Sequence, residues 1–219
     1  MSAVYLSENA FPALTAHLRA AGRRVVPVAA EPRLGRGVAA HADLRLCALG
    51  AGPRAPLFRA ELSELGAEYP ANARVCALVL GGFFIHRLGI TLPRLLAAAK
   101  ALGLAPVNVR QGYARCACVP LDGGAAVTSD PGVARALRAL PGTAVLEIRP
   151  GFVALPGFAY GFLGGACGRV GDEVVFNGDL SAHPDGAAVV EFIRSRGLTP
   201  RYFPGLPLTD IGSVIESGD

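Results

Sequence analysis

Tryptophan is absent from these 219 residues, and charged side chains make up only 17% of them. The scarcity of charge leaves a composition rich in Ala, Leu, Val and Gly, enough for a large core. At about 100–200 residues per domain, the length predicts one domain spanning 1–219. Long apolar runs are also missing. The longest, such as Val75–Ile85, are broken by glycine or charge well short of the ~20 residues of a membrane span, so no membrane partner is expected. The opening Met1-Ser2-Ala3-Val4-Tyr5-Leu6 has neither the basic segment nor the apolar block of a secretory signal, and a soluble cytoplasmic protein is the expectation. A basic stripe is lacking too. The net charge is +4, the arginines are scattered, and Arg23-Arg24 is the only basic doublet. Clustered phosphate contacts are what nucleic-acid binding needs, so no nucleic-acid partner is expected. The five cysteines, at 47, 76, 116, 118 and 167, are odd in number and sit in apolar segments, which favours reduced, buried thiols.

What the chain does contain is a repeat. Residues 111–130 lie over residues 160–179 without a gap, matching Gly112 to Gly161, Tyr113 to Phe162, Cys118 to Cys167 and Asp130 to Asp179. Each copy then runs through a helix-like stretch to an extended segment ending at Pro150-Gly151 or Pro204-Gly205. A recurring supersecondary unit hides its apolar face against its neighbours, as in a ring, stack or propeller. The unit reads as strand, hairpin, strand, helix, strand. In one copy Cys116–Leu121 and Ala125–Thr128 are strands about the Asp122-Gly123-Gly124 turn, because glycine accepts the positive φ of such turns. Ser129 or Asp130 caps a helix over Pro131–Leu140, and Val145–Ile148 closes the unit. The next copy has strands at Ala166–Val170 and Val174–Phe176, a helix over Asp185–Arg196, and an extended Pro200–Phe203.

An earlier, looser unit has His41–Ala48 as its first strand and Arg74–Leu80 or Gly82–Ile85 as its second. Its helix is Pro93–Leu102, with Leu95, Leu96, Ala99 and Leu102 at helical spacing, and Val107–Val109 closes it. Arg54–Asn72 reads as an insertion with a short helix at Leu57–Leu65. The first unit is partial, with Val4–Leu6, a helix across Phe11–Ala21 and Arg24–Val28. Its missing strand is supplied by Asp210–Ile215, which pairs into the N-terminal unit and removes a free edge.

These segments carry a family resemblance. Gln111-Gly112-Tyr113 with Cys116, Val127-Thr128-Ser129-Asp130, Leu155-Pro156-Gly157 with Tyr160 to Gly165, Gly178-Asp179-Leu180 with His183-Pro184, and Asp210-Ile211-Gly212 resemble an uncharacterised bacterial family. Weaker echoes are His41-Ala42-Asp43-Leu44 and Tyr69-Pro70. That family is described as having the guanidino-group-modifying enzyme fold, also called the pentein or α/β propeller. The resemblance implies an α+β propeller of repeated ββαβ units about a pseudo-symmetry axis, closed by the C-terminal strand. It carries no assigned reaction. In the wider superfamily a cysteine attacks the guanidinium carbon, a histidine protonates the leaving amine, and two carboxylates grip the guanidinium nitrogens. Here the superfamily's usual nucleophile segment, Asp210–Ser217, has no cysteine, and Tyr113 and Phe162 stand where its histidine is expected. Both departures weigh against that chemistry in its familiar form; Ser213 is a substitute nucleophile only if it is more than a turn residue.

The candidate catalytic residues are Cys167, which follows Gly164-Gly165, with His41, Asp43 and His183. His41 and Asp43 share one face if extended and could orient a proton shuttle, or else decorate a loop. Asp179 and His183 could face each other across a first turn, or His183-Pro184 could simply end a loop. Candidate ligand contacts are Gln111, Cys116, Asp130, Gly164, Gly165 and Asp179, with a helix cap the stronger reading for Asp130. Cys116 and Cys118 point to one face of a strand, but Cys-x-Cys is not a zinc-knuckle spacing, so neither metal nor cofactor is assigned. His86 reads as a core histidine. The expected activity is hydrolysis or group transfer on a small polar metabolite of guanidino or amidino type. The alternative is a non-catalytic module of the same fold that binds a small molecule or a macromolecule, as the ribosome anti-association factors of this architecture do; the missing basic stripe speaks against the macromolecular form.

Overall fold

The computed structural model describes residues 2–35 and 37–218. It is a mixed α+β structure of small sheets. The elements, in chain order, are β1 (Ala3–Ser7), α1 (Pro12–Ala20), β2 (Arg24–Val28), β3 (Leu46–Ala48), β4 (Leu57–Arg59), β5 (Leu78–Leu80), β6 (Phe83–His86), α2 (Pro93–Ala101), β7 (Ala105–Asn108), α3 (Ala114–Ala117), β8 (Cys118–Asp122), β9 (Ala125–Thr128), α4 (Pro131–Arg138), β10 (Ala144–Glu147), β11 (Cys167–Val170), β12 (Glu173–Phe176), α5 (Gly186–Ser195), β13 (Thr199–Arg201) and β14 (Ile215–Ser217). No described helix is long and apolar enough to cross a membrane.

One pattern recurs in four three-stranded sheets. A first strand pairs antiparallel with a middle strand, a helix crosses over, and a third strand pairs parallel with the middle one. The sets are β5-β6-β7 with α2, β8-β9-β10 with α4, β11-β12-β13 with α5, and β14-β1-β2 with α1. The crossover explains the helices: parallel strands cannot be joined by a tight turn, and an amphipathic helix covers the sheet between them. Prolines at the starts of α1, α2 and α4 pre-set the first turn of each. As expected from the repeat, Cys118 and Cys167 are the first residues of β8 and β11, and they pair with Thr128 and Phe176 across their hairpins.

β14 pairs with β1, setting Tyr5 opposite Ile215 and Ala3 opposite Ser217. The C-terminal strand therefore does complete the N-terminal unit, but later than expected: Asp210 to Val214 form a bend, with Gly212 and Ser213 at positive φ. The looser unit divides in two. β5-β6-β7 is its complete part, whereas β3 pairs with β4 in a separate two-stranded sheet. The helix expected over Leu57–Leu65 is instead β4 followed by a single helical turn, Leu62–Glu64, because Leu57 to Arg59 are taken up as the edge partner of β3.

First strands lie against first strands: β8 against β5, β11 against β8 and β14, and β14 against β3. Apolar clusters fill the space between sheets and helices. The largest joins Val119, Leu121, Val174, Phe176, Val189 and Ile193. Phe176 is fully buried there, so Phe176→Ala should cost roughly 3–5 kcal/mol. Urea unfolding checks this; a loss below about 1 kcal/mol, the range of an ordinary surface change, would contradict the packing.

Candidate functional site

Each first strand begins just after a bend or a helical turn. Asp43 lies in the turn Ala42–Leu44 before β3, Cys76 before β5, Cys116 in α3 before β8, Gly165 in the turn Gly164–Ala166 before β11, and Ser213 before β14. These five run-ins meet. Cys116 Sγ donates to Asp43 Oδ2 at 2.7 Å. The Ser213 hydroxyl lies 2.5 Å from the same oxygen and 3.0 Å from the Gly164 carbonyl, and its single proton can serve only one of them. Backbone bonds lock the run-ins together: Ser213 N–H donates to Gly165 O, Asp43 N–H to Gly212 O, and Arg115 N–H to Cys76 O. Cys76 packs in the same apolar cluster as Cys116.

Absent side chains make this meeting possible. A Cβ on Gly165 would overlap the Asp210 carboxylate, and one on Gly212 would overlap His41. Asp210 accepts from Phe162 N–H and Gly212 N–H, each at 2.9 Å. Burial pushes its pKa up to about 6 despite those bonds. His41 Nε2 is 3.9 Å from Asp210 Oδ1, and burial lowers its pKa, holding the ring neutral. Burial also pushes the Cys116 thiol well above its ordinary value, with the neighbouring thiol and Asp43 adding to the effect. Leu34, Leu44, Val38, Leu65, Tyr113 and Phe162 pack around Cys76 and Cys116.

One atom of the cluster is left over. Asp43 is fully buried, and its Oδ1 is the one buried side-chain polar atom without a hydrogen-bond partner among the described residues. Leaving such an atom unmade costs about 1–3 kcal/mol, and more for a charged group. Ligating atoms of His41, Asp43 and Cys116 all lie within 4.8 Å of one another, so these three residues could hold a metal ion.

Arg115, beside Cys116, crosses between the first strands. Its Nη1 donates to the carbonyls of Gly164 at 3.0 Å and Cys118 at 3.2 Å, and its Nη2 to those of Cys167 and Val214, each at 3.3 Å. A cavity of about 140 Å³ touches Arg115 and is lined by Cys47, Val79, Leu121, Arg169 and Glu216. Arg115→Met removes all four donors and should destabilise by about 3 kcal/mol or more, since each stranded carbonyl carries a desolvation cost. Arg115→Lys, a point donor in place of a planar fork, should recover only part of this. Equal midpoints for the arginine and methionine forms in thermal denaturation would contradict this role.

The structure brings together His41, Asp43, Cys116, Gly164 and Gly165 among the sequence candidates, and adds Cys76, Asp210, Ser213 and Arg115. His41 and Asp43 are not on one extended face; His41 precedes a helical turn and Asp43 lies inside it. Cys116 and Cys118 do not share a strand face, because Cys116 belongs to α3 and Cys118 packs with Leu78 and Val109. Cys167 is a core thiol: it is fully buried, donates to Leu163 O at 3.1 Å, and is pushed up to about 12 by burial. Asp179 and His183 do not pair. Asp179 caps the turn Leu180–Ala182 through Ser181, while His183 donates to Arg149 O and accepts from Asp185 N–H. Asp130 caps α4 through Gly132 and Val133 N–H and holds Gln111 Nε2 at 2.8 Å. That cap is worth roughly 1 kcal/mol. His86 is the core histidine expected, bonded to Thr91 and Gly112.

Fold and site together define a class: α+β proteins of small sheets whose leading loops close on a buried carboxylate and two thiols. The chain belongs to DUF6873, a family of unknown function whose model matches residues 57–215. That span carries Cys76, Cys116, Gly165, Asp210 and Ser213, whereas His41 and Asp43 precede it. No curated protein and no solved structure matches the chain.

Proposed function

We propose that the chain is a pentein-type α/β propeller whose hub binds a small cationic ligand at Asp43. The four repeated three-stranded units, the smaller β3-β4 sheet and the C-terminal strand paired to β1 support the propeller reading. The convergence of the five run-ins supports a hub, because equivalent loops of a radial repeat meet at its axis. The observation that carries the ligand reading is Asp43 Oδ1, a buried carboxylate oxygen with no donor, in a residue grouped with His41 and Cys116. A cation or an N–H-rich ligand supplies what it lacks.

Binding fits this cluster better than cysteine catalysis. A nucleophilic cysteine acts as a thiolate. Here burial keeps Cys167 and Cys116 protonated, Cys167 is committed to the core, and His41 is neutral. The chain's own guanidinium, Arg115, already occupies the carbonyl-lined space between the first strands. A guanidino metabolite would therefore have to bind on the Asp43 side.

Thermal shift against small guanidino and amidino compounds and inorganic cations, run beside an ammonia-release assay, tests the reading. A ligand at 100 times its Kd should stabilise the chain by about 2.7 kcal/mol. The expected result is a shift that Asp43→Asn abolishes, with no ammonia released. Ammonia release that disappears in Cys116→Ser would replace binding with hydrolysis.

A further inference from the structure

We infer that the ligand of the hub is a divalent metal ion of borderline softness, zinc foremost, held by His41, Asp43 and Cys116. The inference rests on the reading of Asp43 as a binding centre and names the occupant. Two observations carry it independently of any titration. The donor set is one imidazole nitrogen, one carboxylate oxygen and one sulfur, with all ligating atoms within 4.8 Å of one another. Nitrogen, sulfur and carboxylate donors in one compact site are the combination that zinc accepts, whereas magnesium and calcium take oxygen sets. Asp43 supplies the carboxylate of that cluster, and its two oxygens differ: Oδ1 is buried and bonded to nothing, while Oδ2 is approached by both Cys116 and Ser213. Protein hydrogen bonds thus crowd one oxygen and leave the other for a ligand.

The surroundings suit an ion. Asp210 Oδ1 stands 3.9 Å from His41 Nε2, beyond hydrogen-bond reach but near enough to favour an imidazole that carries a cation. Ser213 steadies Asp43 through Oδ2. Cys76 packs in the same apolar cluster as Cys116 but lies outside the compact donor set, so a water completes the tetrahedron unless that thiol moves in. The charges balance. On binding, the Cys116 S–H bond breaks, a sulfur–metal bond forms, and the proton leaves to solvent. One thiolate and one carboxylate then offset the two positive charges, with His41 neutral. Cys118 and Cys167 take no part, since each faces a different apolar cluster.

The test uses the full chain, stripped with chelator and titrated with cobalt(II) as a spectroscopic stand-in for zinc. The inference predicts one cobalt per chain with a thiolate-to-cobalt charge-transfer band, displaced by zinc. The band should vanish in Cys116→Ser and Asp43→Asn and persist in Cys167→Ser. Cadmium NMR on the wild-type chain reads the sulfur count with no substitution at all: one sulfur for Cys116 alone, two if Cys76 joins it. Absence of the band in the wild type, its persistence in a folded Cys116→Ser chain, or a cadmium signal without sulfur would overturn the inference. A thermal shift by a guanidino compound that needs Asp43, with no metal bound, would sink the metal and leave the binding reading standing. Neither shift nor metal would sink both.

Discussion

A single carboxylate, Asp43, ties the molecule together at its most crowded point. It has no solvent, its backbone is bonded to the run-in of β14, and its Oδ2 is shared by a thiol from the run-in of β8 and a hydroxyl from that of β14. A buried polar group is tolerated only where partners satisfy it, so the loops that precede the first strands cannot drift apart without stripping this carboxyl of its donors. The sheets around it are small, of two or three short strands each. Their first strands lean on one another, and Arg115 spans them with four bonds to backbone carbonyls. Arg115 and Asp43 thus serve complementary ends. The cation satisfies carbonyls of the strands, and the anion gathers donors from the loops, yet one of its oxygens is still unserved.

Much of the scaffold was readable from local pattern. Cys118 and Cys167 fall at the same point of equivalent hairpins because Asp-Gly and Gly-Asp turns, alternating apolar residues and proline-led helices are short-range signals. The misread places are those where pairing at a distance overrides local spacing. Leu57 to Leu65 has helical spacing, but β3 needs an edge partner, and Leu57 to Arg59 become a strand. Cys116 alternates with Cys118 as strand residues would, but α3 winds the first of them out of the sheet and into the cluster.

The site was legible by parts and not as a whole. His41, Asp43, Cys116, Gly164 and Gly165 stood out as polar, thiol or glycine residues in apolar surroundings, and they do meet. Cys167, Asp179, His183, Gln111 and Asp130 stood out for similar reasons, but each is occupied by the core, a cap or a loop bond. Residue type beside a strand start does not say which way a side chain turns. Arg115 carried one overlooked signal, a lone charge inside Ala114–Ala117 between buried neighbours. Ser213 and Asp210 drew notice only as a substitute nucleophile and as part of a resembling segment; their place in the cluster comes from partners more than a hundred residues away and, for Ser213, from a positive φ that only the folded chain reveals.

The most direct measurement is a high-resolution crystal structure of the protein as purified, with anomalous data collected at the zinc edge. The account predicts density enclosed by His41, Asp43 Oδ1 and Cys116, at the meeting of the five run-ins. A fully ordered Asp43 carboxylate with Oδ1 bonded to protein or turned to solvent, and no density beside it, would contradict the account.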